Sequence, residues 1–536
     1  MAVRITGLTS GLDTDSIVQE LVSAYSYKVQ SYEKEKTTLE WTEEAWSDVN
    51  KDIYSFYTKQ LGTMRYQSSY TDKSTTVSNS AAASVTASAS AVSGSQTLEI
   101  TQLAKSGYLT GENIGSGYSS STTLGELDSS FTDSTITVRV GTEDDYTDTE
   151  ISLTSSSTIG DVVTALKSAG LTASFDATNG RFFISASATG AANNFTLIED
   201  AEGTGSALAA LGLDYNATDS KASKIDGQDS EILLNGASFT SSSNNYSING
   251  LTISALAETS SPITITTNTD TTGIYNKIKE FFSNYNTLIN SMTEKYNADS
   301  SKGYEPLTDD EKDEMSDTEI EKWEQKIKDA LLRRDSTLSS VMSTFSNSLS
   351  KSYYILDGAA ATYNSTKGGY VYKGEVVATS QSELDSWADA NGAKKYSLSS
   401  FGIKTLGYIY AAENEQYAYH IDGDEDDSNT SSNTDKLRAA ISDDPETVMA
   451  FFAALISDTY TSVSDKMSRT SLSSAYTVYN DKQMDKEISE IDDMIDKWQE
   501  RLEELEEYWY SKFSAMETAL AQLQAEQSSM ASLLGS

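Results

Sequence analysis

Cysteine is absent from the 536 residues. Disulfides, thiolate metal sites and cysteine nucleophiles are therefore excluded, and the lack of thiols suits a chain that must be exported without crosslinking. Histidine occurs once, at His420, in an irregular Tyr-rich stretch. Catalytic roles for an imidazole need a positioned nucleophile beside it, so a structural histidine is the expectation. Cationic residues are scarce, 39 Lys plus Arg against 80 Asp plus Glu, a formal net charge of −41. Such acidity argues against nucleic acid or an anionic membrane as partner, and it keeps an extended surface soluble. Long apolar runs are missing too. The longest, Val448 to Ile456, is far too short to span a bilayer, and Met1 to Gly7 lack the apolar core of a secretory signal. The expectation is a soluble protein without membrane insertion, cytoplasmic or exported by a route that needs no cleaved signal.

What the chain does have is concentrated at its ends. Apolar side chains recur at Met484, Ile488, Ile491, Ile495, Trp498, Leu502, Leu505 and Trp509 in alternating steps of three and four, the seam of a coiled coil. One extra step of four leads to Phe513, and Met516, Leu520, Leu523, Gln527, Met530 and Leu534 resume the rhythm. An inserted four is a stutter that relaxes the supercoil without ending the helix. No Gly or Pro interrupts the run before Gly535, so the spacing predicts a rod roughly 70 Å long. Such a rod needs a partner helix. The N-terminus supplies one: Ser16 and Gln19 stand at capping-box spacing, Ile17, Leu21, Tyr25, Val29 and Tyr32 mark a helical face, and Leu39, Trp46, Val49, Ile53 and Phe56 continue it. Trp498, Trp509 and Phe513 are wide for a two-stranded seam and point to a multi-helix bundle.

Between the ends the chain differs in kind. From Ser74 to Lys105 it is mostly Ser, Thr and Ala, with alternation at Val85, Ala87, Ala89 and Ala91, a turn at Gly94-Ser95, then Leu98 and Ile100. Further strands are expected at Ile136–Val140 and Ile151–Leu153, then a helix capped by Thr158 and Asp161. Leu171–Phe175 and Phe182–Ile184 read as a hairpin about a two-residue Asn179-Gly180 turn. Asn235-Gly236 and Asn249-Gly250 mark two more hairpins, which would complete the sheet begun near Val85. Ile274, Ile278, Phe281, Tyr285, Leu288 and Met292 restore a helical period. Asp309 to Leu332 reads as one charged helix, 353–434 as irregular with small hairpins, and Asp444-Pro445 as an N-cap with Pro at the first helical position.

The expected fold class is α+β and multidomain: long antiparallel terminal helices form a coiled-coil stalk, with nested antiparallel β domains inserted between them. The divisions are terminal legs at 1–45 and 481–536, and a helical bundle at 46–73 and 273–480. An inner β domain takes 74–105 and 222–272, and an outer β-rich insertion 106–221.

Four stretches carry a resemblance: Ile5-Thr6-Gly7 with Ser10-Gly11-Leu12-Asp13-Thr14-Asp15-Ser16-Ile17-Val18, Gly94 to Ala104, Leu234 to Ile253, and Lys436 to Val448. In this order they resemble the bacterial flagellar filament capping family, also called flagellar hook-associated protein 2. The match is loose over 106–220 and 353–400. The resemblance implies a protein exported by the flagellar type III route that assembles as a homo-oligomeric ring at the filament tip. There it promotes ordered flagellin polymerisation and prevents loss of monomers, catalyses nothing and uses no cofactor. It implies flagellin, hook–filament junction proteins and an export chaperone at the C-terminal helix as partners. The assembly interface would be Ile17, Leu21, Tyr25, Ile488, Ile491, Ile495, Trp498, Leu502, Leu505, Trp509, Phe513, Met516, Leu520, Leu523, Met530 and Leu534.

Other chemistry has weak signals. Asp422-Gly423-Asp424-Glu425-Asp426-Asp427 invites an EF-hand, but the positions for its Gly and Glu hold Asp427 and Asn433. A solvated acidic loop is expected instead. Gly115-Ser116-Gly117 lacks the rest of a phosphate loop, and with 80 carboxylates some pair always lies at glycosidase spacing. The rival function is a surface adhesin whose Tyr-rich β domains stack on host glycan or mucin; a secreted hydrolase comes last.

Overall fold

The computed structural model describes residues 10–199 and 207–534. The signature residues Ile5-Thr6-Gly7 and the Leu534 side chain lie outside what is described. The fold is α+β: long terminal helices with antiparallel sheets between them. Contacts divide the chain into two compact units, one built from its two ends (to Tyr70 and from Thr271) and one from Thr71–Asp270.

In the first unit, a helix runs over Thr14–Phe56. Asp13 caps it, accepting from the Ser16 N–H at 3.1 Å, so Ser16 is the third helical residue and not the cap. A π turn at Tyr57–Leu61 follows, a local widening common where helices serve special packing. Its Tyr57 ring stacks on Tyr460 at 4.4 Å. Helices Thr271–Asn297, Ser336–Leu349 and Pro445–Lys466 pack with it around a core containing Phe56, Phe281, Phe282, Phe345, Phe451 and Phe452. Asp444 caps the last of these, accepting from the Thr447 N–H at 3.1 Å, with Pro445 at its start as the sequence implies.

Two expectations fail in this unit. The charged stretch is not one helix but two, Asp309–Asp313 and Asp317–Asp329. The break falls where Ser316 and Glu319 form a second capping box, a signal legible in the sequence as Ser-x-x-Glu. The region taken as irregular is ordered over 353–396: a five-stranded antiparallel sheet in the spatial order Glu375–Ala378, Gly369–Tyr372, Ala359–Asn364, Tyr353–Leu356, Lys394–Tyr396. Helix Gln381–Asn391 packs beside it, with Leu384 meeting Ala361 and Ala378. Strands of three to six residues are too short for a clear period-two pattern.

The second unit has two cores. One lies between a five-stranded sheet (Lys73–Val77, Ile263–Thr269, Gly94–Gln102, Ser230–Leu234, Ala237–Ser241) and a three-stranded one (Asn245–Ile248, Leu251–Ala255, Ala83–Ala87). Leu98, Ile100, Ile232 and Ile265 from the first sheet meet Val85 and Ile253 from the second. The return strands therefore join two facing sheets, not one. Gly94-Ser95 opens a strand instead of making a turn, and Ala89 and Ala91 lie outside the strands. At Asn235-Gly236 and Asn249-Gly250 the loops are two residues with both φ values positive, the backbone that Asn-Gly favours.

The other core joins strands Ser134–Gly141, Tyr146–Leu153 and Phe195–Glu199 to a sheet of Ser223–Ile225, Tyr108–Thr110, Arg181–Ala186 and Leu171–Asp176. Helix Ile159–Ser168 carries the expected Thr158–Asp161 capping box. The hairpin after Leu171 differs from expectation. Asp176 pairs with Arg181, so its loop has four residues, ending at Gly180 with φ +59°. Asp176 draws the loop in by accepting from the N–H groups of Thr178 (2.8 Å) and Asn179 (3.1 Å).

Candidate assembly interface

The C-terminal helix is continuous over Asp481–Leu534, about 80 Å of rod. It runs antiparallel to Thr14–Phe56, as three points fix. At the root, the Val478 N–H donates to Asn50 Oδ1 (3.0 Å), the Asn50 amide donates to the Tyr476 carbonyl (3.1 Å), and Trp46 stacks on Tyr479 at 5.6 Å. Midway, Lys36 Nζ meets Asp492 at 2.7 Å. Toward the tip, Glu517 accepts from the N–H of Ser10 at 3.2 Å and from its hydroxyl. Glu517 is 2% exposed. A buried polar partner of this kind fixes the register of a helix pair, because sliding it would leave a carboxylate unpaired.

The seam is only half closed. Ile495 is buried, while Ile488, Ile491, Trp498, Leu502, Leu505, Trp509, Phe513, Met516 and Leu520 stay half-buried. Leu523 and Met530 are 61% and 62% exposed. On the N-terminal helix the buried residues are Thr14, Val18 and Val29, then Trp46, Val49, Ile53 and Phe56 toward the root. Of the residues expected there, Ile17 is half-buried, and Leu21 and Tyr25 are exposed. The expected face is offset only over the first turns, where Val18 is buried in place of Ile17; Val29, Trp46, Val49, Ile53 and Phe56 are buried as the spacing implies.

Carboxylates crowd the root. The carboxyl of Glu43 is raised above its ordinary range, first by burial and then by the charges of Asp485, Asp481 and Glu40. Lys36 is raised by its hydrogen bond to Asp492. Those like charges oppose closure at the root, while Lys36 favours it midway.

Elsewhere, the acidic loop is solvated only in part, with Glu425 and Asp426 exposed. Asp422 and Asp424 are buried; Lys404 meets Asp422 at 3.0 Å, and Lys279 Nζ lies 2.5 Å from both Asp424 and Asp426. An ammonium group from a distant helix thus neutralises the acids, a partner no local motif could reveal. His420 is buried with Nδ1 2.6 Å from Asp427 Oδ2, its one side-chain hydrogen bond among the described residues. Asp427 is lowered despite its burial, chiefly by that bond. No group of three or more metal-ligating side chains is assembled among the described residues, and no described helix is long and apolar enough to cross a membrane.

Two paired terminal helices with a half-closed seam, and antiparallel sheets in the sequence between them, define the class of fold. The chain belongs to the flagellar hook-associated protein 2 family: the family's N-terminal part matches residues 10–107 and its C-terminal part 227–525. Flagellar hook-associated protein 2 of Halalkalibacterium halodurans is 23% identical over 98% of this chain and 99% of its own. The protein of that name from Thermotoga maritima is 31% identical over 37% of this chain and 32% of its own. Among solved structures, the D1–D2–D3 domains of the Escherichia coli flagellar cap protein align with a TM-score of 0.46 at 20% identity, over 79% of this chain and 96% of that one. Residues 108–226 lie outside both family matches.

Proposed function

We propose that this chain caps the flagellar filament: a homo-oligomeric ring at the tip that guides arriving flagellin into the lattice and keeps monomers from diffusing away. The observation that carries the reading is the half-closed pair of terminal helices in a member of the hook-associated protein 2 family. Apolar positions left open along that pair, from Ile17, Leu21 and Tyr25 to Leu523 and Met530, are what a leg would offer to flagellin and to neighbouring copies. In this reading the legs are 1–45 and 481–536, the bundle 46–73 and 273–480, and the β domains 74–105 with 222–272 and 106–221 form the plate. The chain leaves by the flagellar type III route without a cleaved signal, works outside the cell, and meets the hook–filament junction proteins. An export chaperone holds its C-terminal helix beforehand. No catalytic step is required, since burial of flagellin's own surface drives polymerisation.

The adhesin alternative gains no observation. Of the tyrosines in the β domains, Tyr246 is buried with its hydroxyl against Ser230, Tyr118 and Tyr215 are half-buried, and Tyr108 and Tyr146 stand exposed but apart in the sequence.

The test is deletion of the gene, with flagellin assayed in the medium. Unpolymerised flagellin outside cells bearing stunted filaments, reversed by complementation, is the expected result. Normal filaments without leaked monomer would overturn the reading.

A further inference from the structure

Residues Thr405 to Ala412 read Thr-Leu-Gly-Tyr-Ile-Tyr-Ala-Ala, an uncharged stretch in a chain of net charge −41. At its tip Tyr408, Ile409 and Tyr410 are 86%, 85% and 80% exposed. Among the described residues no other three consecutive large apolar side chains are exposed. The tip is an ordered turn: Gly407, at φ +76°, accepts from the N–H groups of Tyr410 (3.2 Å) and Ala411 (3.0 Å). Its base is tied to helix Thr271–Asn297, where Asn297 donates to Asn414 at 3.0 Å. Asn286 also holds both the N–H and the carbonyl of Tyr419. A fixed apolar tip of this size is uncommon on a surface with nothing to meet.

A matching recess lies on the helical leg. Between the terminal helices a groove of about 530 Å³ has Leu39, Ile491 and Met494 on its floor and Glu35, Glu487 and Glu490 around it, with no cation in its lining. Glu490 is paired with Lys486 at 3.0 Å, and Glu487 accepts from Gln483, but Glu35 has no partner among the described residues. A carboxylate only accepts, and a tyrosine hydroxyl can donate to it. Two copies of so acidic a chain repel wherever charge meets charge. An uncharged tip with two hydroxyl donors can enter an acidic recess without that repulsion, while Ile409 covers the apolar floor.

We propose that the Tyr408–Tyr410 tip of one copy seats in the groove between the terminal helices of a second copy. Tip and groove are different surfaces, so a one-way contact is heterologous and closes into a ring or continues as a helix, whereas a reciprocal exchange between two copies would stop at a two-fold dimer. Buried tyrosines are the side chains that carry most energy at such contacts. The proposal rests on the ring reading and assigns the contact within it.

Because the chain has no cysteine, pairs can be introduced cleanly. The full chain carrying both Ile409→Cys and Thr38→Cys, Thr38 being on the groove wall, is treated with a short thiol–thiol crosslinker and run under denaturing conditions. A ladder of crosslinked oligomers from the double variant and none from either single variant is expected. Replacing Tyr408, Ile409 and Tyr410 together by Ser should raise the concentration for half-assembly at least about tenfold, with circular dichroism unchanged. Rings by electron microscopy without a ladder would leave the cap reading standing and overturn this contact. Dimers from Ile409→Cys alone would put tip against tip and overturn it as well. A chain monomeric at every concentration would remove both readings.

Discussion

Helix Pro445–Lys466 and helix Asp481–Leu534 are both rich in apolar residues, yet their environments differ. In the first, Phe451, Phe452, Leu455 and Ile456 are wholly buried, and Phe452 meets Phe282, Phe401 and Phe451 edge-on or tilted. In the second, Ile495 is the one apolar side chain of the described residues that is buried. The difference lies in the number of neighbours. One helix has several partners around it, and the other has one partner along its length. Burial, and with it stability, follows from company more than from composition.

The comparison can be broken from its open end first. Removing residues 521–536 should leave thermal unfolding of the rest unchanged while abolishing filament growth, scored by complementation of the deleted strain. Filaments of normal length would mean that the open seam has no use. A smaller but still large effect is expected in the closed helix: Phe452→Ala should cost about 3–5 kcal/mol in urea unfolding, whereas Trp498→Ala, at a half-buried site, should cost under about 2 kcal/mol. Equal costs would show that the leg is as tightly packed as the bundle. Next comes Lys279→Met, which leaves the buried Asp424 facing Asp426 without a cation. A loss of about 1–3 kcal/mol is expected, and none at all would mean that the acids are solvated after all.

The smallest effect concerns the root of the leg. A carboxyl raised on folding binds a proton that the unfolded chain releases, so its contribution favours the folded state at low pH. That contribution is lost as pH rises from the unfolded value through the folded one. At neutral pH Glu43 therefore opposes folding. Glu43→Gln should raise Tm at pH 7 by about 1 °C, and the gain should vanish near about pH 4. A gain that persists in acid would point to packing and not charge.

Periodicity made the terminal helices legible, and turn chemistry the two Asn-Gly hairpins, because both are local. Their neighbours were not. Nothing near Asp422 announces Lys279, and nothing near Met516 announces that the next residue, Glu517, would be buried against Ser10. The face of the N-terminal helix was legible from Val29 to Phe56 and offset only at its start, since Val18 and Ile17 are both apolar and only the partner decides which turns inward. The short strands of 353–396 were missed because each is held by cross-strand pairing, as of Tyr354 with Ala361 and Lys395, rather than by its own pattern.

The bond between Ser10 and Glu517 spans 507 positions in the chain. Closing a loop of that length demands that nearly everything between already exist. Whether the chain emerges from a ribosome or from a narrow channel, the pairing of the terminal helices is completed only when both ends have arrived. Residues 71–270, being contiguous, can fold on their own beforehand. The order of events is thus built into the nesting: the unit of residues 71–270 can fold early, and the pairing of the terminal helices forms last, once the whole chain is in one place.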